Sequence, residues 1–223
     1  MWILYGRGFD TPHLHFLLTI KNYFIMGFDL HGVAPNINKP EPAILKQNHW
    51  GSVPEDIKDE YWKASDEYEE ANPGIYFRNN VWWWRPLWNY VCDICDDILS
   101  PKDMEKGGWN NAARISKTKA KKIATRILME NKSGNLDKYA QKYKTDIEAL
   151  DKETCTICDG VGMRTPPLLD MEGNATDQDT LQKCNGCEGT GKRESWAASY
   201  PFSVDNALRF AQFAKESGGF QIC

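Results

Sequence analysis

The sequence predicts a mainly α fold: a helical domain into which a small, cysteine-held β-hairpin finger is inserted ahead of a C-terminal helix. Three observations carry this. Amphipathic stretches recur between Pro54 and Leu150, residues 153–194 switch to cysteine, glycine and turn residues, and an apolar stripe with its own start and stop signals runs from Ser203 to Gly219. The 223 residues allow one domain with an appendage or two small domains. Counting glycine in and tyrosine out, apolar residues make up about 44%, close to the ~45–50% of globular domains, which excludes wholesale disorder. With 27 basic and 31 acidic residues the net charge is −4, too mild for a protein that wraps duplex DNA along its whole surface.

Residues 1–25 mix Asp10, His13 and His15 with the apolar runs Phe16–Ile20 and Tyr23–Met26. Lys21 and Asn22 interrupt them, so neither approaches the ~18 apolar residues of a membrane span, and no membrane contact is expected. They lack a basic start and a small-residue cleavage site, so they do not read as a secretory signal but as an extension ahead of a native start at Met26. Met26-Gly-Phe-Asp-Leu-His31 has no Ser or Thr where myristoylation needs one. Residues 26–152 with 195–223 are then expected to form the helical domain, and 153–194 the finger.

Along the chain, Phe28–His31 alternates as a short strand before a stretch extended by Pro35, Pro40 and Pro42. From Pro54, Glu55 and Asp56 open an acidic helix carrying Ile57, Tyr61, Trp62, Ala64 and Tyr68 and ending near Asn72-Pro73-Gly74. A second helix runs from Asn79 or Asn80 to Leu99, with Pro86 near its start or kinking it. A third, from Asn110 or Asn111, places Ala112, Ser116, Ala120, Ile123, Ala124 and Ile127 on one stripe; Lys117, Lys119, Lys121, Lys122 and Arg126 make its other face basic. A fourth covers Leu136 to Leu150 with Tyr139, Tyr143 and Ile147 in line, and the last starts at Ser203 as N-cap and stops at Gly218-Gly219. Charge is segregated, with 4 basic and 11 acidic residues in 51–99 against 12 and 6 in 100–150. Either the two regions face each other or solvent, or the basic one is a binding face.

Seven cysteines form three Cys-x-x-Cys pairs, Cys92/Cys95, Cys155/Cys158 and Cys184/Cys187, plus Cys223. Such pairs point to metal in a reducing compartment rather than to a disulfide framework. Two of them lie in a near-repeat, Cys155-Thr-Ile-Cys-Asp-Gly-Val-Gly162 and Cys184-Asn-Gly-Cys-Glu-Gly-Thr-Gly191. Two residues between cysteines let one tight turn aim both sulfurs at one point, and the glycines can take the positive φ that doubles the chain back. Four thiolates fill a tetrahedral zinc site, leaving no position for water, so one structural zinc on Cys155, Cys158, Cys184 and Cys187 is expected, in a zinc-bound β-hairpin finger. The loop between the units, with Pro166, Pro167, Gly173 and Asn174, would be closed by the metal. Residues 155–191 resemble the Cys-x-x-Cys-x-Gly-x-Gly zinc finger of the DnaJ chaperone family. That resemblance implies the ligand role of the four cysteines. The family has four units and two zincs, this chain two units, and it has no His-Pro-Asp motif, so stimulation of Hsp70 is not implied.

The segment Tyr76–Tyr90 is the aromatic centre of a chain with nine tryptophans. Its tryptophans either fill the core, with Arg78 and Arg85 stacking on them from outside, or leave Trp82 and Trp83 exposed as a recognition surface that can stack bases. Cys92 and Cys95 read as packed thiols; a second metal would need further ligands such as His31 and His49, and Asp93, Asp96 and Asp97 read as a solvated face or a cation site. No strand-turn-helix context supports a Cys-His nucleophile, and there is no phosphate-binding Gly-rich loop, paired-His metal motif or Gly-x-Ser-x-Gly, so no enzyme is expected.

Met26-Gly-Phe-Asp-Leu, Tyr76-Phe-Arg-Asn-Asn-Val-Trp-Trp-Trp-Arg-Pro-Leu-Trp and Ser217-Gly-Gly-Phe-Gln-Ile-Cys are similar to small accessory proteins of tailed bacteriophages. The resemblance implies a viral protein in the bacterial host cytoplasm that binds and inhibits or redirects a host protein, such as a defence component. The rival expectation is a nucleic-acid or nucleotide binder using the basic helix with Trp82 and Trp83. The oligomeric state is left open by the sequence.

Overall fold

The structure, a computed structural model, describes residues 27–48, 50–110, 112–165 and 181–223. The 1–25 extension, the start at Met26, His49, Asn111 and the loop residues Pro166, Pro167, Gly173 and Asn174 lie outside the described residues. The described chain runs β1 (Gly27–Gly32), α1 (Ala43–Gln47), α2 (Lys58–Ala71), β2 (Tyr76–Asn80), α3 (Val81–Ile94), α4 (Pro101–Gly108), β3 (Arg114–Ser116), α5 (Lys117–Lys132) and α6 (Asn135–Glu148). The short strands β4 (Glu153–Thr154), β5 (Met163–Arg164), β6 (Gln182–Lys183) and β7 (Lys192–Arg193) follow, then α7 (Val204–Glu216) and β8 (Gly219–Ile222). Among these residues no helix is long and apolar enough to cross a membrane.

The helix-rich body is built on an antiparallel sheet of order β2-β1-β8-β3. Side chains alternate across it. Phe28, Leu30, Phe77, Ile115, Phe220 and Ile222 are buried, while Asp29, His31, Arg78, Arg114 and Gln221 take the other face. Helices α3, α5 and α7 cover the apolar face with Trp84, Leu87, Trp88, Ile123, Ile127, Phe210 and Phe213. The expected strand at Phe28–His31 is present, but a mainly α description omits the other three strands of its sheet. β2 passes directly into α3 through the N-cap Asn80, whose side chain accepts from the Trp83 amide; β3 runs into α5 through the N-cap Ser116; β8 begins at Gly219, the second of the two glycines that stop α7.

Two helix boundaries are corrected by these junctions. The basic helix begins at Lys117, not at Asn110 or Asn111, and Ala112 is exposed with φ 48° instead of lying on the buried stripe. The second helix ends at Ile94, and a separate α4 starts at Pro101 under a Ser100/Asp103 capping box. Pro86 is the sixth residue of α3, past the first turn, so its missing amide and its ring act against the carbonyl of Trp82 and favour a bend there.

Of the expected β-hairpin finger, the described residues show two short antiparallel strand pairs. Among the described residues, the strands flanking each cysteine unit pair with those of the other unit, β4 with β7 and β5 with β6. The two units clasp each other instead of each closing as its own hairpin. The chain leaving the finger is held to the body by the Tyr143 hydroxyl, which donates to the Tyr200 carbonyl at 2.8 Å, and by Trp196, whose ring meets Trp82 edge-on at 4.8 Å.

Candidate metal centre

The two cysteine units are related by an approximate twofold, their backbone hydrogen bonds repeating at an offset of 29 residues. The Cys155 amide donates to the Gly191 carbonyl and the Cys184 amide to the Gly162 carbonyl, both at 2.9 Å. Within each unit the first glycine amide returns to the first cysteine carbonyl, Gly160 to Cys155 at 3.1 Å and Gly189 to Cys184 at 3.2 Å. Asp159 and Glu188 take positive φ of 48° and 52°, and the following glycines continue the turn. The last glycine of each unit is required by contact as well as by φ. A Cβ on Gly162 would lie 2.4 Å from the Gly189 carbonyl oxygen, and one on Gly191 would lie 2.1 Å from that of Gly160.

This backbone brings the Sγ atoms of Cys155, Cys158, Cys184 and Cys187 within 4.8 Å of one another, all four residues buried. Cys155 and Cys184 sulfurs are 3.8 Å apart, and those of Cys158 and Cys187 are 3.6 Å apart. A tetrahedron with metal–sulfur bonds of ~2.3 Å has edges of about 3.8 Å, the length those two pairs show, so the cluster can hold a metal ion such as zinc. Amides of Gly162 and Gly191 point at the Cys158 and Cys187 sulfurs at 3.2 and 3.3 Å, where they favour thiolate. Burial opposes ionisation of Cys187, but the Gly191 amide, with the neighbouring thiols and the Gly189 amide, outweighs it and brings the thiol down to about 7. Burial instead pushes Cys158 up to about 11. Four packed sulfurs cannot all be thiolate on their own; a divalent cation at their centre removes that conflict.

The other candidates are dispersed. Cys92 and Cys95 sit in and just after α3, packed against the core, each pushed up to about 12 by burial. His31 lies on the open sheet face with its ring 5.2 Å from Tyr76, and among the described residues the four finger cysteines form the only group of three or more potential ligands. Asp97 is taken by Arg126, while burial and then Asp96 raise the Asp93 pKa.

The aromatic segment divides between the two expectations. Trp84 and Trp88 are core, Trp83 is 37% exposed, and Trp82, expected at the surface, is half-buried against Trp196 and Tyr200. Arg85 stacks at 5.6 Å on Trp109 and 5.9 Å on Tyr200, whereas Arg78 is on the sheet, paired with Asp29 at 3.6 Å and not stacked on tryptophan. Of the five basic residues grouped on one helix, Lys119 is bound to Asp103, and Arg126 to Asp97 and the Ile94 carbonyl. Lys117, Lys121 and Lys122 remain exposed. Sequence reasoning passed over Trp109, 68% exposed, and the outward apolar side chains of the finger, Val161 at 74% and Leu181 at 65%; exposure of single apolar residues leaves no periodic signal. No family model, curated relative or solved structure matches the chain.

Proposed function

We propose that this chain is a non-enzymatic, zinc-stabilised bacteriophage protein that binds a host protein in the bacterial cytoplasm and inhibits or redirects it, a defence component being one such target. In this reading one structural zinc is held by Cys155, Cys158, Cys184 and Cys187. The observation that supports it most is the closed, buried four-sulfur cluster beneath exposed Ile157, Val161 and Leu181. With every coordination position filled by thiolate, the metal has no place for substrate or water, and its work is to shape a surface. Ile157, Val161 and Leu181 are exposed apolar side chains on the finger, the residue type a protein contact would use.

Zinc-loaded full-length protein and a Val161→Glu, Leu181→Glu variant serve as paired baits in bacterial lysate at low and high salt. The reading expects one host protein in near-stoichiometric yield with the native bait at both salt concentrations, lost with the variant while its zinc content is unchanged. A partner recovered equally by both baits, or a nucleic acid that dissociates at high salt, overturns it. Exposed Lys117, Lys121 and Lys122 favour the nucleic-acid reading, but it has less support because Lys119 and Arg126 are already neutralised.

A further inference from the structure

A cleft of about 460 Å³ opens between α3 and α4, lined by Arg85, Trp88, Asn89, Cys92, Glu105 and Trp109 among others. Its walls are fixed. The Trp84 indole donates to the Gly107 carbonyl at 2.8 Å and the Trp88 indole to that of Met104 at 2.9 Å, both on α4. A Cβ on Gly107 would lie 2.3 Å from the Trp88 ring, so α4 rests directly on that indole.

Two side chains at the rim are incompletely satisfied. Arg85 is half-buried, held by the rings of Trp109 and Tyr200 and a 3.2 Å bond to the Tyr200 hydroxyl, and no carboxylate forms an ion pair with it among the described residues. Trp109 is 68% exposed, although a tryptophan gains most by leaving water. The chain fixes it there: Asn110 follows at φ 53°, its side-chain amide donating to the Gly27 carbonyl at 3.2 Å, and Ala112 stands at φ 48°. Left-handed non-glycine residues of this kind persist only where their surroundings hold them, and they gather at ligand sites.

A flat ring would cover the Trp109 indole, and an anionic group would neutralise Arg85. We propose that this cleft binds a nucleoside monophosphate, its base stacked on Trp109 and its phosphate on Arg85, with Asn89 and Glu105 offering hydrogen bonds to base edge or sugar. The volume suits a ligand of that size. The site uses neither the metal centre nor the basic helix.

Isothermal titration of the full-length protein with AMP, GMP, CMP and UMP, and with the matching nucleosides and inorganic phosphate, tests this. At least one monophosphate should bind saturably, its nucleoside and phosphate alone at least about tenfold more weakly. Trp109→Ala should weaken it by about tenfold or more, with an unchanged thermal melt because the side chain is exposed. Arg85→Met should do the same, and Arg85→Lys, which keeps charge but not the planar stack, should fall between. Absence of saturable binding of all four to about 10 mM, equal affinity for nucleoside and nucleotide, or unchanged binding by the Trp109 variant overturns the proposal.

Discussion

The body and the finger of this molecule solve the same problem by different physics. In the body, Trp84 stacks on Trp88 at 5.3 Å and on Phe28 at 5.5 Å, and Phe210, Phe213 and Phe220 close round them. In the finger the buried cluster consists of four cysteines, while Ile157, Val161, Met163 and Leu181 face water. A segment that small cannot bury enough apolar area to offset its ordering entropy. Metal binding, with an apparent ~10–16 kcal/mol in comparable sites, can. The two regions should therefore fail separately, one to loss of metal and the other to loss of packing.

Chelation should separate them most sharply. With a strong chelator at neutral pH, trypsin should cut at Arg164 and Lys183 while near-ultraviolet dichroism of the buried tryptophans persists. Unchanged cleavage, or loss of both signals together, would break the comparison. The converse is Trp84→Ala, which removes a fully buried indole and its bond to Gly107 and should lower stability in urea by about 3–5 kcal/mol without changing the zinc content of the folded protein. Next in size is Gly191→Ala. Its Cβ would collide with the other unit's backbone at positive φ, so zinc affinity measured by chelator competition should fall by about 10–100-fold with the body's urea midpoint unmoved.

The same division governs how much could be read from sequence. The cysteine cluster was legible because its chemistry is local: Cys155, Cys158, Cys184 and Cys187 announce themselves by spacing, and Gly160 and Gly162 by the turn they permit. What spacing does not state is the partner, and the pairing of β4 with β7 depends on Gly191 meeting Gly160 across the twofold. In the body, α5 and α7 were legible from their stripes because one face of each is buried. β2, β3 and β8 were not, because three to five residues give too few alternations to establish a period, and each adjoins a helix signal stronger than its own. Residues such as Lys119 and Arg126 looked free on a helix face because their carboxylate partners are long-range in sequence, Asp103 before β3 and Asp97 after α3.

The Lys119–Asp103 pair gives the smallest effect and the most direct test of that last point. Burial raises the Asp103 pKa, but hydrogen bonds from Lys119 and Ser100 outweigh it and hold the carboxyl below its ordinary value. A group depressed on folding contributes stability above its unfolded pKa and loses it as pH falls through the folded one. Asp103→Asn should therefore cost about 1 kcal/mol at neutral pH. The gap to the native protein should close on acidification below the normal carboxylate range. Lys119→Met, which leaves the Ser100 bonds to Asp103 in place, should show the same pH dependence; if the charge of Lys119 were instead free for a phosphate partner, that variant would leave stability unchanged at every pH, and the basic face would regain its claim to a nucleic acid.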